Sequence, residues 1–149
     1  MITVIETSKI NPQTLARIHA KCFFEKWNAE VFKKFSTQKI FHFILAENDE
    51  RVCGFLIFSH IIDEVEIITN CVLPEFRKKG IGQSILQNLE SYALRNSVNK
   101  IFLEVAEDNQ QAISLYQKMN FQKISYRKNY YRKADQTFID AIIMEKKIL

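Results

Sequence analysis

Hydrophobic and polar positions in this chain repeat with two different periods, and the switches between them mark out its elements. The opening run Met1-Ile2-Thr3-Val4-Ile5-Glu6 reads as a short strand. Asn11-Pro12 sets an N-cap asparagine before a proline at the first helical position, and Leu15, Ile18, His19, Cys22 and Phe23 follow on one helical face. A second short helix is predicted from about Asn28 to Phe35. Phe41 to Glu47 and Val52 to His60 are strand-like and joined by the turn Asn48-Asp49-Glu50. Glu64 to Leu73 makes a third such stretch, with Val65, Ile67 and Thr69 expected on one face against Glu66 and Ile68.

From Gln83 to Leu94 the period becomes helical, with Ile81, Ile85, Leu89, Tyr92 and Ala93 forming one apolar stripe. Lys100 to Val105 is a short strand, and Asn109 to Met119 a helix that Asn109 caps. Phe121 to Tyr126 and Thr137 to Lys147 close the chain as strands. The crossover through a helix from Glu64–Leu73 to Lys100–Val105 implies one parallel pair in an otherwise antiparallel sheet. The expectation is a single α/β (α+β) domain over residues 1–149, its mixed central sheet flanked by helices in three layers.

Composition narrows the function classes. Apolar residues make up 47% and charged residues 26%, values of a globular chain rather than a disordered one. A net charge of +4 gives mild attraction to anions but falls short of a dedicated nucleic-acid binder. No apolar run reaches membrane-spanning length, and the N-terminus lacks the basic and apolar regions of a signal peptide. Cys22, Cys53 and Cys71 are scattered and odd in number, so neither a disulfide framework nor a zinc site is expected, and a reducing cytoplasm fits. His19, His42 and His60 lie far apart, which again points to no metal.

Two of the three glycines, Gly80 and Gly82, fall in one basic run, Arg77-Lys78-Lys79-Gly80-Ile81-Gly82, between a strand and a helix. Glycine lets backbone N–H groups approach a ligand, and a helix N-terminus adds unpaired donors and the positive end of its dipole. A phosphate or pyrophosphate is the natural guest. The run has neither the Lys-Ser/Thr pair of a Walker A loop nor the third glycine of a dinucleotide fingerprint.

The stretch from Asn70 to Gly82 resembles the acyl-CoA pyrophosphate loop of the GNAT acetyltransferase superfamily, whose pattern is Arg/Gln-x-x-Gly-x-Gly/Ala. Leu103-Glu104-Val105, then Asn109, then Leu115-Tyr116, is similar to one branch of it, the bacterial enzymes that acetylate the N-terminal alanine of a small-subunit ribosomal protein. So is Arg127-Lys128-Asn129-Tyr130-Tyr131, followed by Asp140-Ala141-Ile142-Ile143-Met144. The resemblance runs from about residue 64 to 147 and implies a GNAT fold with acetyl-CoA as co-substrate. It further implies a ribosomal-protein N-terminus as the partner, and a monomeric enzyme without stable nucleic-acid binding.

The same resemblance assigns roles. Glu104, at a strand end beside the cofactor loop, is the expected general base, and Tyr116 the general acid toward the departing thiolate. The chemistry suits both: a peptide α-amine has a pKa of about 8 and yields its proton to a placed carboxylate, while a phenol of about 10 can serve the thiolate. Asn70, Cys71 and Val72 are expected to offer backbone groups to the pantetheine arm. Arg77, Lys78, Lys79, Gly80, Ile81, Gly82 and Gln83 would form the phosphate cradle, and Asn109 would bond the cofactor as well as cap its helix. Cys71 is read as the one cysteine near the cofactor, with no covalent acyl carrier. Asn120 stands where the family has glycine and is expected in a left-handed turn.

Gln122 to Lys133 holds five basic residues and Tyr126, Tyr130 and Tyr131. Three readings stand: a nucleic-acid patch with base stacking, a solvated strand and loop, or, as the family implies, one wall of the peptide groove with Tyr130 and Tyr131 lining it and Trp27 opposite. Trp27 also reads as a core aromatic. A GNAT enzyme for lysine side chains or small amines, and a CoA- or RNA-binding module without catalysis, are the competing functions.

Overall fold

In chain order the computed structural model, which describes residues 1–149, contains β1 (Ile2–Thr7), α1 (Pro12–Cys22), α2 (Ala29–Ser36), β2 (Phe41–Asn48), β3 (Arg51–Ile61) and β4 (Glu64–Val72). A single 3-10 turn, Pro74–Phe76, leads to α3 (Ile81–Arg95), β5 (Lys100–Ala106), α4 (Gln110–Lys118), β6 (Gln122–Arg132) and β7 (Phe138–Lys147). One seven-stranded sheet runs in the order β1-β2-β3-β4-β5-β7-β6. Every neighbouring pair is antiparallel except β4–β5, the crossover through α3.

Each face of the sheet has its own core. On one side Ile44, Leu56, Phe58, Val65 and Ile67 pack under the α3 stripe Ile81, Ile85, Leu89, Tyr92 and Ala93, with Ile113 and Tyr116 of α4 beyond. On the other, Phe43, Leu45, Phe55 and Ile57 lie under Leu15 and Ile18 of α1 and Phe32 of α2. Ile85 and Leu89 are fully buried, and truncating either to alanine costs about 2–5 kcal/mol.

Asparagine starts three of the four α-helices. Asn11 Oδ1 accepts from the Thr14 N–H at 3.1 Å, Asn28 Oδ1 from Val31 at 3.3 Å, and Asn109 Oδ1 from Ala112 at 3.2 Å. Asn120 holds the expected left-handed conformation at φ 71° where α4 ends. The β2–β3 hairpin turns on Asp49 and Glu50 alone, both left-handed, because β2 extends to Asn48.

Two boundaries differ from expectation, and both bear on the site. The stretch expected as Phe121–Tyr126 is the longer strand β6, which carries Tyr130 and Tyr131 on the sheet instead of a loop. In β4 the pairing with β3 passes from Phe58↔Ile67 to Ile57↔Thr69, so Ile68 is an extra, bulged residue. Thr69 therefore does not continue the face of Val65 and Ile67. Asn70 and Val72 take that face, while Cys71 turns into the α1–α2 core.

Candidate active site

A split sheet creates the site. β4 and β5 pair only from Glu64↔Lys100 to Ile67↔Leu103, and beyond that point the two strands part. β5 continues to Ala106 with its outer edge held by β7, so Glu104, expected at a strand end, sits inside the strand at the first position past the split. Leu73 N–H donates to Cys53 O at 2.8 Å on the β3 side. By strand alternation Asn70 and Val72 direct their backbone groups to the opposite, unpaired edge. Arg77 Nε donates to Val72 O there at 2.9 Å.

Cys22 Sγ lies 3.6 Å from the same carbonyl, so a second cysteine besides Cys71 stands at this strand. Helix α1 ends at this edge, and the two sequence positions are too distant for spacing to reveal it. The Cys22 thiol is lowered to about 7, chiefly by hydrogen bonding to Cys71 with Arg77 assisting, whereas burial pushes Cys71 well up. Cys71 is buried in the α1–α2 core and pairs with Phe55 of β3, so by the same alternation its backbone groups face β3, and the expected backbone contact to a pantetheine arm falls to Asn70 and Val72.

At the mouth of the split, α3 begins without a cap. Its N-cap is Gly80 at φ 80°, with no side-chain acceptor for the N–H groups of Ile81, Gly82 and Gln83. The other three α-helices spend an asparagine on that need. A Cβ at Gly80 would meet nothing within 4 Å, so glycine serves the backbone angle there. At Gly82 it would lie 3.0 Å from Leu115 Cδ2, so that glycine makes room for the Leu115 side chain of α4. Lys78 is also left-handed, at φ 63°, and Lys79 lies over the Phe76 ring. Open N–H donors, a helix dipole and three cations suit a pyrophosphate. Together with the free edge of β4, these residues fit an extended CoA-like group.

Glu104 and Tyr116 flank the split from opposite faces. Leu103 and Val105 bury themselves toward α3 and α4, which turns Glu104 to the α1–α2 side. Its Oε1 is 3.1 Å from Arg127 Nε, a partner no sequence spacing indicated. Glu66 shares that face, and its carboxyl is raised by burial and then by Glu104, with Arg127 opposing. Tyr131 O–H donates to Glu104 O at 3.5 Å, and burial, helped by the Glu104 charge, pushes its phenol up to about 12. Three residues of β6, Lys128 to Tyr130, bulge opposite Asp140, whose Oδ1 accepts the Asn129 N–H at 2.9 Å. That pin brings Tyr131 over Glu104. Tyr116 is buried on the other face, its phenol raised by burial.

Trp27 stands apart from this group. It stacks on His19 at 4.6 Å and packs against the α1–α2 core, so much of its surface serves as core. Burial lowers His19 to about 4, and its Nδ1 accepts the Trp27 N–H at 3.5 Å. The segment before Trp27 does reach β6: Glu25 pairs with Arg132 at 3.6 Å, and Arg132 lies over Phe24. Asn109 spends its Oδ1 on the α4 cap, leaving its Nδ2 for other bonds.

No helix is long and apolar enough to cross a membrane, and no three His, Cys, Asp or Glu side chains gather as for a metal ion. A split parallel pair with a carboxylate on β5, a phenol of α4 beside it and open N–H donors where α3 begins is the arrangement of an acyltransferase. Residues 13–121 match the Acetyltransferase (GNAT) family, and the chain belongs to that family. It is 30% identical over 118 residues to the [ribosomal protein bS18]-alanine N-acetyltransferase of Escherichia coli, covering 79% of this chain and 78% of that protein. The crystal structure of the ribosomal-protein-S18-alanine N-acetyltransferase from Escherichia coli matches with TM-score 0.92 at 24% identity, over 99% of this chain and 94% of that one. Arabidopsis thaliana NAA60 in complex with acetyl-CoA matches with TM-score 0.85 at 19% identity, over 99% of both chains. The two structures share its fold.

Proposed function

We propose that this enzyme moves the acetyl group of acetyl-CoA to the N-terminal α-amine of a protein, the N-terminal alanine of ribosomal protein bS18, in the cytoplasm and as a monomer. The observation that carries the chemistry is the placement of Glu104 and Tyr116 on opposite faces of the β4–β5 split. The acceptor follows from the similarity to the Escherichia coli bS18-alanine enzyme along 79% of the chain. Three of the five cations in the β6 segment are engaged, Arg127 by Glu104, Arg132 by Glu25 and Lys133 by Asp108, which favours a peptide groove over a nucleic-acid patch.

Acetyl-CoA supplies an activated acyl group as a thioester. Ile81, Gly82 and Gln83 would hold its pyrophosphate with backbone N–H groups, Arg77, Lys78 and Lys79 would add charge, and Asn70 and Val72 would offer edge groups to its pantetheine arm. Glu104 takes a proton from the acceptor ammonium, directly or through water, which frees the nitrogen pair for the acetyl carbonyl carbon. As the C–N bond forms and the C–S bond breaks, Tyr116 gives its proton to the departing sulfur, and the second proton shed by the acylated nitrogen passes through water to the phenolate, which restores Tyr116. A thiol near 8.5 is a stronger acid than a phenol of 10 or more, so this transfer is uphill by about 2 kcal/mol or more before the site assists it. Tyr130, Tyr131 and Trp27 would line the peptide groove.

The test is acetyl transfer onto short peptides: Ala-starting bS18 N-termini, an N-terminally blocked peptide with an internal lysine, and polyamines. A lysine amine is about 2.4 units more basic than an α-amine and costs roughly 3 kcal/mol more to deprotonate. Acetylation of the Ala-starting peptide alone is expected. Preference for the lysine peptide or a polyamine refutes the acceptor, and no transfer to any amine refutes the enzyme.

A further inference from the structure

The Asn70 side chain holds an anomaly. Its Oδ1 is fully buried and has no hydrogen-bond partner, while its Nδ2 donates to the Tyr116 hydroxyl oxygen at 3.4 Å. An unpartnered buried acceptor is costly, and a β-branched apolar residue would suit a strand facing this core. The amide is kept for what its donor does. Turned over, it would orphan an NH2 group instead, the rarer and dearer fault, and would capture the phenol proton.

We infer that Asn70 is a positioning residue for Tyr116: its N–H occupies the phenol oxygen, so that the phenol proton is left free for the sulfur departing in the β4–β5 split. Asn70 stands three residues past Ile67, the last residue of β4 paired with β5, and the bulge at Ile68 is what turns it toward α4. Without that extra residue its side chain would lie on the α1–α2 face. The donated N–H also stabilises the oxygen as it gains negative charge, opposing the rise that burial imposes. A backbone irregularity and a buried amide thus serve one proton. The inference rests on the reading of Tyr116 as the acid.

Asn70→Leu and Asn70→Asp, each in wild-type and Tyr116→Phe backgrounds, test it through kcat, acetyl-CoA KM and CoA affinity by calorimetry. Leucine has no donor, and aspartate offers only an acceptor and would seize the phenol proton. Asn70→Leu is expected to lower kcat about 10-fold with CoA affinity within about twofold, and Asn70→Asp to lower it further. In the Tyr116→Phe background neither change is expected to move kcat more than about twofold, because the atom they act through is gone. Wild-type kcat in Asn70→Leu beside a slow Tyr116→Phe overturns the positioning role alone. Full additivity, or Asp matching Asn in a folded variant, also overturns it. Wild-type kcat in Tyr116→Phe overturns both this and the acid assignment.

Discussion

Replacing Gly82 by valine tests the proposed cradle and the proposed role of Tyr116 on α4 together. A Cβ there lies 3.0 Å from Leu115 Cδ2, tighter than most Cβ contacts, so the leucine side chain must give by a few tenths of an ångström, and valine adds two methyls beyond it. Overpacking of this kind costs about 1–3 kcal/mol, and exchanging glycine for valine in a helix returns about 0.4 kcal/mol. The net loss is about 0.6–2.6 kcal/mol, a fall in Tm of about 1–10 °C for a chain of this size. Function is expected to suffer more than stability. Leu115 precedes Tyr116 on α4, and the Asn70–Tyr116 bond is already long at 3.4 Å, so a shift of a few tenths of an ångström breaks it. At the other end, Gly82 N–H is one of the open donors of α3, and a charge-assisted bond lost there costs about 1.5–3 kcal/mol. CoA affinity measured by calorimetry is expected to fall about 10- to 100-fold and kcat with it. Wild-type CoA affinity in a folded Gly82→Val protein refutes the cradle.

Glu104→Gln is expected to lower kcat about 100- to 10,000-fold with CoA affinity intact. Its Arg127 pair is half exposed on the arginine side, so Tm is expected to move by little; full turnover in this variant ends its role as base. Tyr131→Phe is expected to raise the acceptor-peptide KM about 3- to 10-fold. With its phenol near 12, Tyr131 keeps its proton across the assay range, so its loss leaves the pH profile of kcat unchanged up to about pH 10, and a lost titration limb contradicts this. His19 is neutral in the fold, lowered from 6.5 to about 4 by burial. The unfolded chain therefore takes up its proton first, and the stability present above pH 6.5 drains away as pH falls toward 4, by at most about 3 kcal/mol. Thermal melts of wild type are expected to steepen over that window relative to His19→Phe, and parallel curves refute it.

The elements were legible because periodic apolar positions make them: the α3 stripe and the asparagine caps stand as the periodicity and cap chemistry predict. The length of β6 was not, because its side chains are nearly all exposed and no alternation marks the strand. The bulge at Ile68 escaped because an inserted residue leaves no compositional trace. That omission assigned Asn70 a backbone role only, since the side chain's face depends on counting through the bulge. Glu104 and Tyr116 could be picked out as chemistry-bearing residues of a family motif. Their partners could not: Arg127, Tyr131 and Asn70 meet them through long-range register that only the folded sheet supplies.

On the proposed reading, the uncapped start of α3 would grip a part of the ligand that the reaction leaves untouched. The diphosphate of spent CoA is the same as that of acetyl-CoA, so such a cradle would hold substrate and product with equal strength and add nothing to the chemical step. Tighter grip there lengthens the stay of the product. Free CoA would then compete with its acetylated form, and once the two together saturate the site, turnover would follow their ratio rather than the amount of either.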